Sequence, residues 1–407
     1  MSIATGIVEN QPLPDNLFTR IVDFRRDLHQ HPELSFQEHR TQDRIAAYLD
    51  SLGIAFRTAA RTGIIADLPG SVSDAPCVVL RADTDALPIL EETGLPFASQ
   101  NEGIMHACGH DGHTSMLLGA ASLLSKDKDR KVPVRLIFQP AEEKASGAKA
   151  MIADGALDNA AMVFGGHIDR HYPLGTIIAT DGPVNASSDT FDIQIGGKGG
   201  HAARPHETVD AVVVGSLLVM SIQTIVSREV NPAHPSVVTV GRFDAGTASN
   251  VISAQAHLSG TIRAQDYEVR IMLQDSIRRI SESIGQLHAA DVEVEIREGT
   301  SAVVNPPDMA AVCREAALKV VPEEFVHGLT TANMGAEDFA DYMEVIPGCY
   351  VRFGSILPEQ TPHPAHSSKF DFDERVLGVG AAYYHALAGV ASEKILADMA
   401  NETAETT

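Results

Sequence analysis

The chain has 407 residues, of which 44% are hydrophobic, and a formal net charge of −23. A chain of this length exceeds what one hydrophobic core usually serves, so we expect two domains of an ordinary globular protein. The acidic charge disfavours nucleic acid and anionic membrane surfaces as partners, because both would require a basic face.

Cysteine usage and the start of the chain indicate the compartment. The four cysteines lie far apart with no paired spacing: Cys77, Cys108, Cys313 and Cys349. A disulfide framework or a structural zinc knuckle is therefore not expected, and a reducing cytoplasm fits best. Residues 1–14 carry no basic start or apolar core that would indicate an export signal. The longest apolar run, residues 211–222, is shorter than a bilayer of ~30 Å requires.

The first part of the chain alternates helices with short apolar strands, which is typical of a layered α/β domain. A long amphipathic helix is predicted over residues 16–52, interrupted at His31-Pro32 because proline disfavours helix in the residue before it. A second helix is predicted over residues 111–125. Short strands are predicted at residues 64–68, 77–81, 134–139 and 162–167.

Residues 105–113, just before the second helix, hold one thiol, three imidazoles and one carboxylate. Thiolate and imidazole are ligands that zinc and its neighbours prefer, and Cys108 and His110 can point at one place from a turn or a strand end. The alternative is a polar loop that caps the helix through Asp111 or Thr114.

Further ligand-type residues stand where predicted strands end. Glu142 and Glu143 follow the strand at 134–139, and His167 closes the strand at 162–167. In open α/β sheets, ligands collect at the carboxyl ends of strands. These positions favour a metal site over a capping loop.

From about residue 185 the predicted order becomes β-α-β-β-α-β, which is typical of a ferredoxin-like split unit inserted into the first domain. Its strands are predicted at residues 190–195, 236–243, 251–263 and 292–296, and its helices at 207–227 and 267–284. The glycine-rich turn at 196–200 lacks both the dinucleotide spacing and the Lys-Ser/Thr of a phosphate loop, so nucleotide binding is not expected. The turn does present an imidazole, His201.

Five motifs follow one another along nearly the whole chain: Arg81-Ala82-Asp83-Thr84-Asp85-Ala86-Leu87-Pro88, Cys108-Gly109-His110-Asp111-Gly112-His113, Gln139-Pro140-Ala141-Glu142-Glu143, Gly199-Gly200-His201-Ala202 and Met334-Gly335-Ala336-Glu337-Asp338-Phe339. In order and spacing they resemble the amidohydrolase branch of the dinuclear metallopeptidase family, which contains aminoacylases, hippurate hydrolases, indole-3-acetyl-amino-acid hydrolases and carboxypeptidase G.

The resemblance implies a catalytic α/β/α domain with a mostly parallel sheet around two divalent metals, formed by residues 1–184 and 301–407. It also implies that the inserted ferredoxin-like α+β domain, residues 185–300, is a lid that mediates dimerisation. A homodimer is therefore expected, with a homotetramer as the alternative.

The resemblance assigns five metal ligands: Cys108, His110, Glu143, His167 and His366. Cys108 would bridge the two metals, and His363 is the rival of His366. This donor set tolerates manganese, zinc, cobalt or nickel. Asp83 is assigned the task of orienting a metal-bound histidine through a hydrogen bond.

The expected reaction is hydrolysis of the amide bond of an N-acyl amino acid or a related small amide to a carboxylate and a free amine. A hydroxide bridging the metals attacks, Glu142 passes the proton to the departing amine as general base and acid, and His201 stabilises the oxyanion. Arg263 is expected to clamp the substrate carboxylate, with Asn250 as a further amide contact. His201 lies in the lid and acts within its own subunit or across a dimer.

Three alternatives stay open at the level of sequence. A dipeptidase or aminopeptidase would use the same metal centre on short peptides. A thiol hydrolase would use Cys108 without metal. A metal-loaded but inactive binding protein would be expected to lack Glu142, which is present.

Overall fold

The computed structural model describes residues 12–72, 74–331, 333–356 and 363–405. The chain divides into two compact units. Unit 1 comprises Met1–Gly182, Asn305–Thr330 and Asp341–Thr407, and unit 2 comprises Pro183–Val304 and Thr331–Ala340. Unit 2 thus contains residues 331–340 as well as the segment that the sequence analysis expects to be inserted.

The strands of the described residues follow in chain order: β1 (Ala55–Ala59), β2 (Gly63–Leu68), β3 (Cys77–Asp83), β4 (Val134–Gln139), β5 (Ala160–Pro173), β6 (Ile177–Ile178), β7 (Gly182–Asn185), β8 (Asp189–Gly196), β9 (Gly200–His201), β10 (Ser236–Ala245), β11 (Val251–Ile252), β12 (Gln255–Ala264), β13 (Asp291–Glu298), β14 (Val303–Asn305), β15 (Val326–His327) and β16 (Gly348–Ile356).

The α-helices of the described residues are α1 (Asp15–Gln30), α2 (His39–Ser51), α3 (His110–Leu124), α4 (Gly147–Ala153), α5 (Ala211–Thr224), α6 (Tyr267–His288), α7 (Pro307–Leu318), α8 (Phe339–Met343) and α9 (Val376–Glu405). The predicted helix over 16–52 is therefore two helices, α1 and α2, because the chain leaves the helix at the His31-Pro32 step.

Unit 1 contains a sheet with the strand order β1-β2-β4-β3-β5-β16-β6-β15. Its central strands β4, β3, β5 and β16 pair in parallel, whereas β1, β2 and β4 pair antiparallel. Every residue of β3 is buried, as expected for a parallel strand covered on both faces. The predicted α/β class with a mostly parallel sheet is confirmed.

Helices α1, α3 and α9 share one apolar core with this sheet. Helix α3 is buried on almost every side, and a Cβ at Gly119 would lie 2.6 Å from the Cβ of Ala381 on α9. Only glycine therefore permits this close approach of α3 and α9. That packing fixes the axis of α3, whose first residue, His110, is one of the predicted ligands.

Unit 2 contains an antiparallel sheet with the strand order β10-β12-β8-β13, packed against α5 and α6. In chain order these elements run β8-α5-β10-β12-α6-β13, which is the predicted ferredoxin-like arrangement. The prediction of a single strand over 251–263 is wrong, because this segment forms two strands, β11 and β12. Strand β11 lies outside the main sheet and pairs with β9.

Helix α5 and the turn that follows it form a stretch, Ala211–Glu229, that is long and apolar enough to cross a membrane by length and composition alone. The predicted apolar run was shorter, because it ended at residue 222. One such helix is weak evidence, since the core helix of a globular protein passes the same test. Val214, Leu218 and Ile222 from this helix are buried in the core of unit 2.

Asp341 on α8 is buried, and its Oδ2 has no hydrogen-bond partner among the described residues. Burial raises the pKa of Asp341 to about 6, with Lys149 opposing and Glu344 adding to the shift. The native state thus binds a proton that the unfolded chain releases at lower pH, so ionisation of Asp341 costs stability as the pH rises from about 4 to 6.

We therefore expect Asp341→Asn to raise the free energy of unfolding at pH 7 to 8 by up to about 3 kcal/mol. The gain should vanish near pH 4. Urea unfolding of metal-stripped protein from pH 4 to 8 measures this, with exposed Asp43→Asn as the matched control. A gain that is independent of pH would contradict the expectation.

Candidate metal centre

The Cys108-Gly109-His110 segment is the start of helix α3. Gly109 precedes the helix with φ 91°, a left-handed conformation that favours glycine, and His110 is the first helical residue. The turn at Gly109 brings both flanking side chains to the helix N-terminus. Cys108 and His110 were predicted to lie at a turn or a strand end, and they lie at a turn.

Glu142 and Glu143 lie in a short 3-10 turn, Glu142–Lys144, directly after β4. Ala141 and Ala145, which flank this turn, both have positive φ. The backbone N–H groups of Glu142 and Glu143 donate to the two carboxylate oxygens of Asp85, at 3.1 and 3.2 Å. Asp85 therefore fixes the turn that presents both glutamates.

His167 lies within β5, which continues to Pro173, so its predicted place at a strand end is wrong. Its Nδ1 donates to the carbonyl of Ile168 at 2.6 Å, which leaves Nε2 as the nitrogen able to bind a cation. That Nε2 lies 3.3 Å from Cys108 Sγ.

His366 approaches from a loop after β16. Its backbone has φ 66°, and its N–H donates to the carbonyl of Ala107 at 2.8 Å, which ties this loop to the segment that carries Cys108. Its Nε2 lies 3.2 Å from Glu143 Oε1. His366, preferred over His363 by the resemblance, is thus a neighbour of the other predicted ligands.

The ligand atoms form overlapping groups in which all members lie within 4.8 Å of one another. Cys108, His110 and His167 form one such group, and Cys108, Glu143 and His366 form another. Cys108 is common to both, as expected of a ligand that bridges two metals. A further group joins His110 with Glu142 and Glu143, and His110 Nε2 lies 4.0 Å from an oxygen of each glutamate.

These residues fit a pair of divalent cations. His110 Nε2 is buried and has no hydrogen-bond partner among the described residues, as expected of an atom that serves a cation. The donor set of sulfur, imidazole nitrogen and carboxylate oxygen suits zinc, manganese, cobalt or nickel. All five predicted ligands belong to unit 1.

The pKa of Cys108 argues against a metal-free thiol nucleophile. Burial, with the nearby Glu143 carboxylate, raises the pKa of the Cys108 thiol to about 12. A nucleophilic cysteine needs a thiolate, which this environment disfavours at neutral pH. A divalent cation would supply the missing positive charge and ionise the thiol.

Asp83 lies beside the predicted ligands, and its hydrogen bond goes to His113, which is not one of them. Its Oδ1 accepts from His113 Nδ1 at 2.7 Å, and His113 Nε2 accepts from the N–H of Ile168 at 2.9 Å. Both nitrogens of His113 are engaged, so His113 is not available as a ligand. Burial would favour a neutral acid, but His110, His113 and Arg81 hold the pKa of Asp83 well below its usual value.

Asp83 Oδ2 also lies 3.7 Å from His110 Nε2, so its predicted orienting role beside a metal-ligand histidine stays a prediction. Asp85, which sequence reasoning did not single out, is a second candidate for this role. Its Oδ1 lies 3.3 Å from His110 Nδ1, and Ser35 Oγ donates to its Oδ2 at 2.7 Å. Asp85 thus faces Nδ1 of His110 and leaves Nε2 toward the glutamates. The signal was present, because Asp85 belongs to the same motif as Asp83.

The remaining predicted site residues lie in unit 2. His201 on β9 is exposed and faces Val251 across the β9–β11 pair, and the carbonyl of neighbouring Asn250 accepts from the N–H of Ala202. Arg263 on β12 donates through Nη1 to the carbonyl of Met334 at 3.2 Å. His201 and Asn250 are therefore neighbours, and Arg263 contacts the motif that begins at Met334.

The side chain of Arg25 contacts the first turn of α3, which begins at the predicted ligand His110. Its fully buried guanidinium contacts Asp111 at 2.8 Å, Glu374 at 3.1 Å and Asp371 at 3.2 Å, and it lies 4.3 Å from the ring centre of Phe372. His29 also contacts Asp111 at 2.8 Å. Although burial favours a neutral acid, Arg25 and His29 hold the pKa of Asp111 far below its usual value.

We expect Arg25→Met to lower the free energy of unfolding by about 3–5 kcal/mol, because it removes the fully buried cation that pairs with the buried Asp111 carboxylate. Arg26→Met is the matched control. Arg26 pairs with Glu374 from a half-exposed position, so its loss should cost less than about 1 kcal/mol. Chemical unfolding of both variants checks this, and equal losses would contradict the assignment.

Comparisons with known proteins agree with this centre. Residues 79–389 match the model of peptidase family M20/M25/M40. The chain is 40% identical to an N-acetylcysteine deacetylase of Bacillus subtilis, covering 93% of the chain and 98% of that protein. It is 38% identical to thermostable carboxypeptidase 1 of Saccharolobus solfataricus, covering 92% and 96%. The predicted family resemblance is confirmed.

A solved structure extends the likeness to the fold. The crystal structure of a dinuclear metal-binding peptidase of the M20 family from Bacillus subtilis superimposes with a TM-score of 0.84 at 36% identity, covering 94% of this chain and 99% of that one. The predicted dinuclear metal cofactor is confirmed as a class, and the identity of the metal stays a prediction.

Proposed function

Because the chain belongs to peptidase family M20/M25/M40 and is a metal-dependent hydrolase of amide bonds, we propose that its substrates are N-acyl amino acids. The convergence of Cys108, His110, Glu143, His167 and His366, with Glu142 beside them, supports the hydrolysis, and the 40% identity to an N-acetylcysteine deacetylase supports the substrate class. Hydrolysis would release the acyl group as a carboxylate, together with a free amino acid.

We assign the proton transfers to Glu142. Two divalent cations held by the five ligands would lower the pKa of a water molecule and polarise the substrate carbonyl. Glu142 lies in the same turn as the ligand Glu143 and is 11% exposed, so it stands at the edge of the centre with access to water. It accepts the proton of the attacking water and donates it to the leaving nitrogen.

Unit 2 supplies the substrate contacts in this proposal. His201 donates to the oxyanion of the tetrahedral intermediate, Arg263 pairs with the substrate carboxylate, and Asn250 adds an amide contact. The exposure of His201 and Asn250 leaves both available to a ligand. Whether His201 acts in its own subunit or in a partner is decided by mixing His201→Ala with Glu142→Gln protein: recovery of activity on mixing requires action across subunits.

We propose a homodimer through the face of unit 2 that α5 and β10 form. Val213, Leu217 and Met220 of α5 are exposed by 47%, 40% and 69%, and the neighbouring β10 is an edge strand. An exposed apolar helix beside an unpaired strand edge favours association with a second copy. Met220→Asp should convert the dimer to a monomer in light scattering. A tetramer, or an unchanged mass in the variant, would contradict this interface.

We propose the cytoplasm as the place of action, since Cys77, Cys108, Cys313 and Cys349 are all free thiols. The function is tested with a panel of N-acyl amino acids and dipeptides, using manganese-loaded and chelator-stripped enzyme and mass spectrometry of the products. Metal-dependent release of free amino acids from the acylated compounds is expected. Cleavage of the dipeptides alone would instead favour the peptidase alternative, which the likeness to thermostable carboxypeptidase 1 supports.

A further inference from the structure

A cleft of about 730 Å³ lies in unit 1 between the α3–β4 loop and helix α9. Leu124 ends α3 at this cleft, whereas His110 begins α3 at the metal centre. The helix has 15 residues, so its two ends are about 20 Å apart. The cleft is thus a separate place on the unit, and its volume is that of a small-molecule site.

The cleft is basic on an acidic protein. The chain has nine lysines, and four of them line this one cleft together with Arg130. The lining lysines are Lys126, Lys128, Lys131 and Lys319. The acidic residues of the lining are Asp127, Asp129 and Glu393, and Asp127 pairs with His385 at 2.8 Å. The lining thus holds five basic and three acidic residues, which favours an anion over a cation as ligand.

Most of the lysines in the cleft have no fixed counter-charge. Within the described residues, the lysines that form ion pairs are Lys149, Lys319 and Lys394. The ammonium groups of Lys126, Lys128 and Lys131 are therefore available to a ligand. Ammonium groups act as point charges that suit the oxygens of phosphate and sulfonate groups.

Hydrogen bonds from the Arg130 side chain and from the backbone hold the loop that carries these lysines. Arg130 donates to the carbonyls of Pro69 and Leu124, at 3.0 and 2.6 Å, and the carbonyl of Lys131 accepts from Val72. A Cβ at Gly70 would lie 2.3 Å from the carbonyl oxygen of Lys131, so only glycine allows this contact. Such anchoring lowers the entropy cost of binding a ligand.

Apolar side chains also line the cleft. Leu124, Val134 and Ala388 contribute buried side chains, and Leu396 lies at the end of the lining on α9. We infer that this cleft binds a multivalent anion that also carries an apolar body. The charged groups would face Lys126, Lys128 and Lys131, and the apolar body would lie against α9.

Naphthalene-1,3,6-trisulfonate is a suitable probe, because it joins three anionic groups to an aromatic body and coordinates metals weakly. Its fluorescence is titrated with manganese-loaded enzyme at constant ionic strength. The triple variant K126Q/K128Q/K131Q should bind at least about tenfold more weakly than the original protein. The control R57Q/R61Q/R297Q removes the same charge from exposed positions elsewhere and should bind within twofold of the original.

Hydrolytic activity of all three proteins verifies that they are folded, since none of these residues belongs to the metal centre. Selective weakening in the lysine variant supports the cleft. Equal weakening in both variants would show a response to overall charge, and unchanged binding would place the probe elsewhere. Either result, or no binding to the original protein, would overturn the inference.

Discussion

Glu142→Gln is expected to lower kcat by about 10²–10⁴-fold while the protein retains its metal. Glu142 belongs to the turn that also holds Glu143, and its carboxylate lies 4.0 Å from His110 Nε2. The amide of glutamine has nearly the same shape but can neither take the proton of the attacking water nor return it to the amine. Steady-state kinetics together with the metal content per subunit measure both parts of this expectation.

A second acidic pair provides a matched control. Glu323 also begins a 3-10 turn of two glutamates, Glu323–Phe325, and is exposed. Glu323→Gln should leave both kcat and metal content unchanged, whereas Glu143→Gln should lose metal as well as activity. If Glu142→Gln kept more than a tenth of the original kcat, Glu142 would not be the general base.

Cys108→Ala is expected to weaken metal binding by more than about 100-fold and to abolish hydrolysis. The reason is that Cys108 belongs to both ligand groups, so its loss affects the two cations together. Cys77→Ala, which removes another buried free thiol of the same unit, should leave metal binding intact. Competition with a fluorescent chelator measures the affinities.

The same variant separates the metal centre from a thiol hydrolase. A metal-free thiol hydrolase would lose activity on Cys108→Ala without any change in metal affinity, and the original protein would resist chelators. The pKa of about 12 for the buried thiol makes that outcome the less expected one. Retention of metal by the variant would show that Cys108 is not a bridge.

Sequence reasoning identified the ligand-type residues because their chemistry is carried in short motifs, and the fold gathers Cys108, His110, Glu143, His167 and His366 as the resemblance implies. The orienting role of Asp83 stays a prediction, because both Asp83 and Asp85 lie beside His110. The two aspartates are the same residue type two positions apart, so only the path of the chain after β3 reveals which nitrogen of His110 each one faces.

The predicted boundaries of helices and strands are wrong where backbone pairing outweighs the pattern of side chains. The strand was predicted to end at His167, and the residues after it are Ile-Asp-Arg-His-Tyr-Pro. The strand β5 nevertheless continues, because β16 pairs in parallel with it as far as Asp169 and again at Pro173. Likewise, the membership of residues 331–340 in unit 2 depends on contacts distant in sequence, which no local pattern reveals.

The predicted ligands differ in the kind of backbone that carries them, because His167 lies in the middle of β5. His167 lies in a strand that pairs with β16 at Arg352, whereas the 3-10 turn of Glu143 is flanked by Ala141 and Ala145 in left-handed conformations, and His366 itself has φ 66° in a loop. The sheet therefore restrains His167 through its backbone, whereas turns outside the regular strands place Glu143 and His366. We expect the spacing of the ligands to respond more to substitutions in these turns than to substitutions in β5.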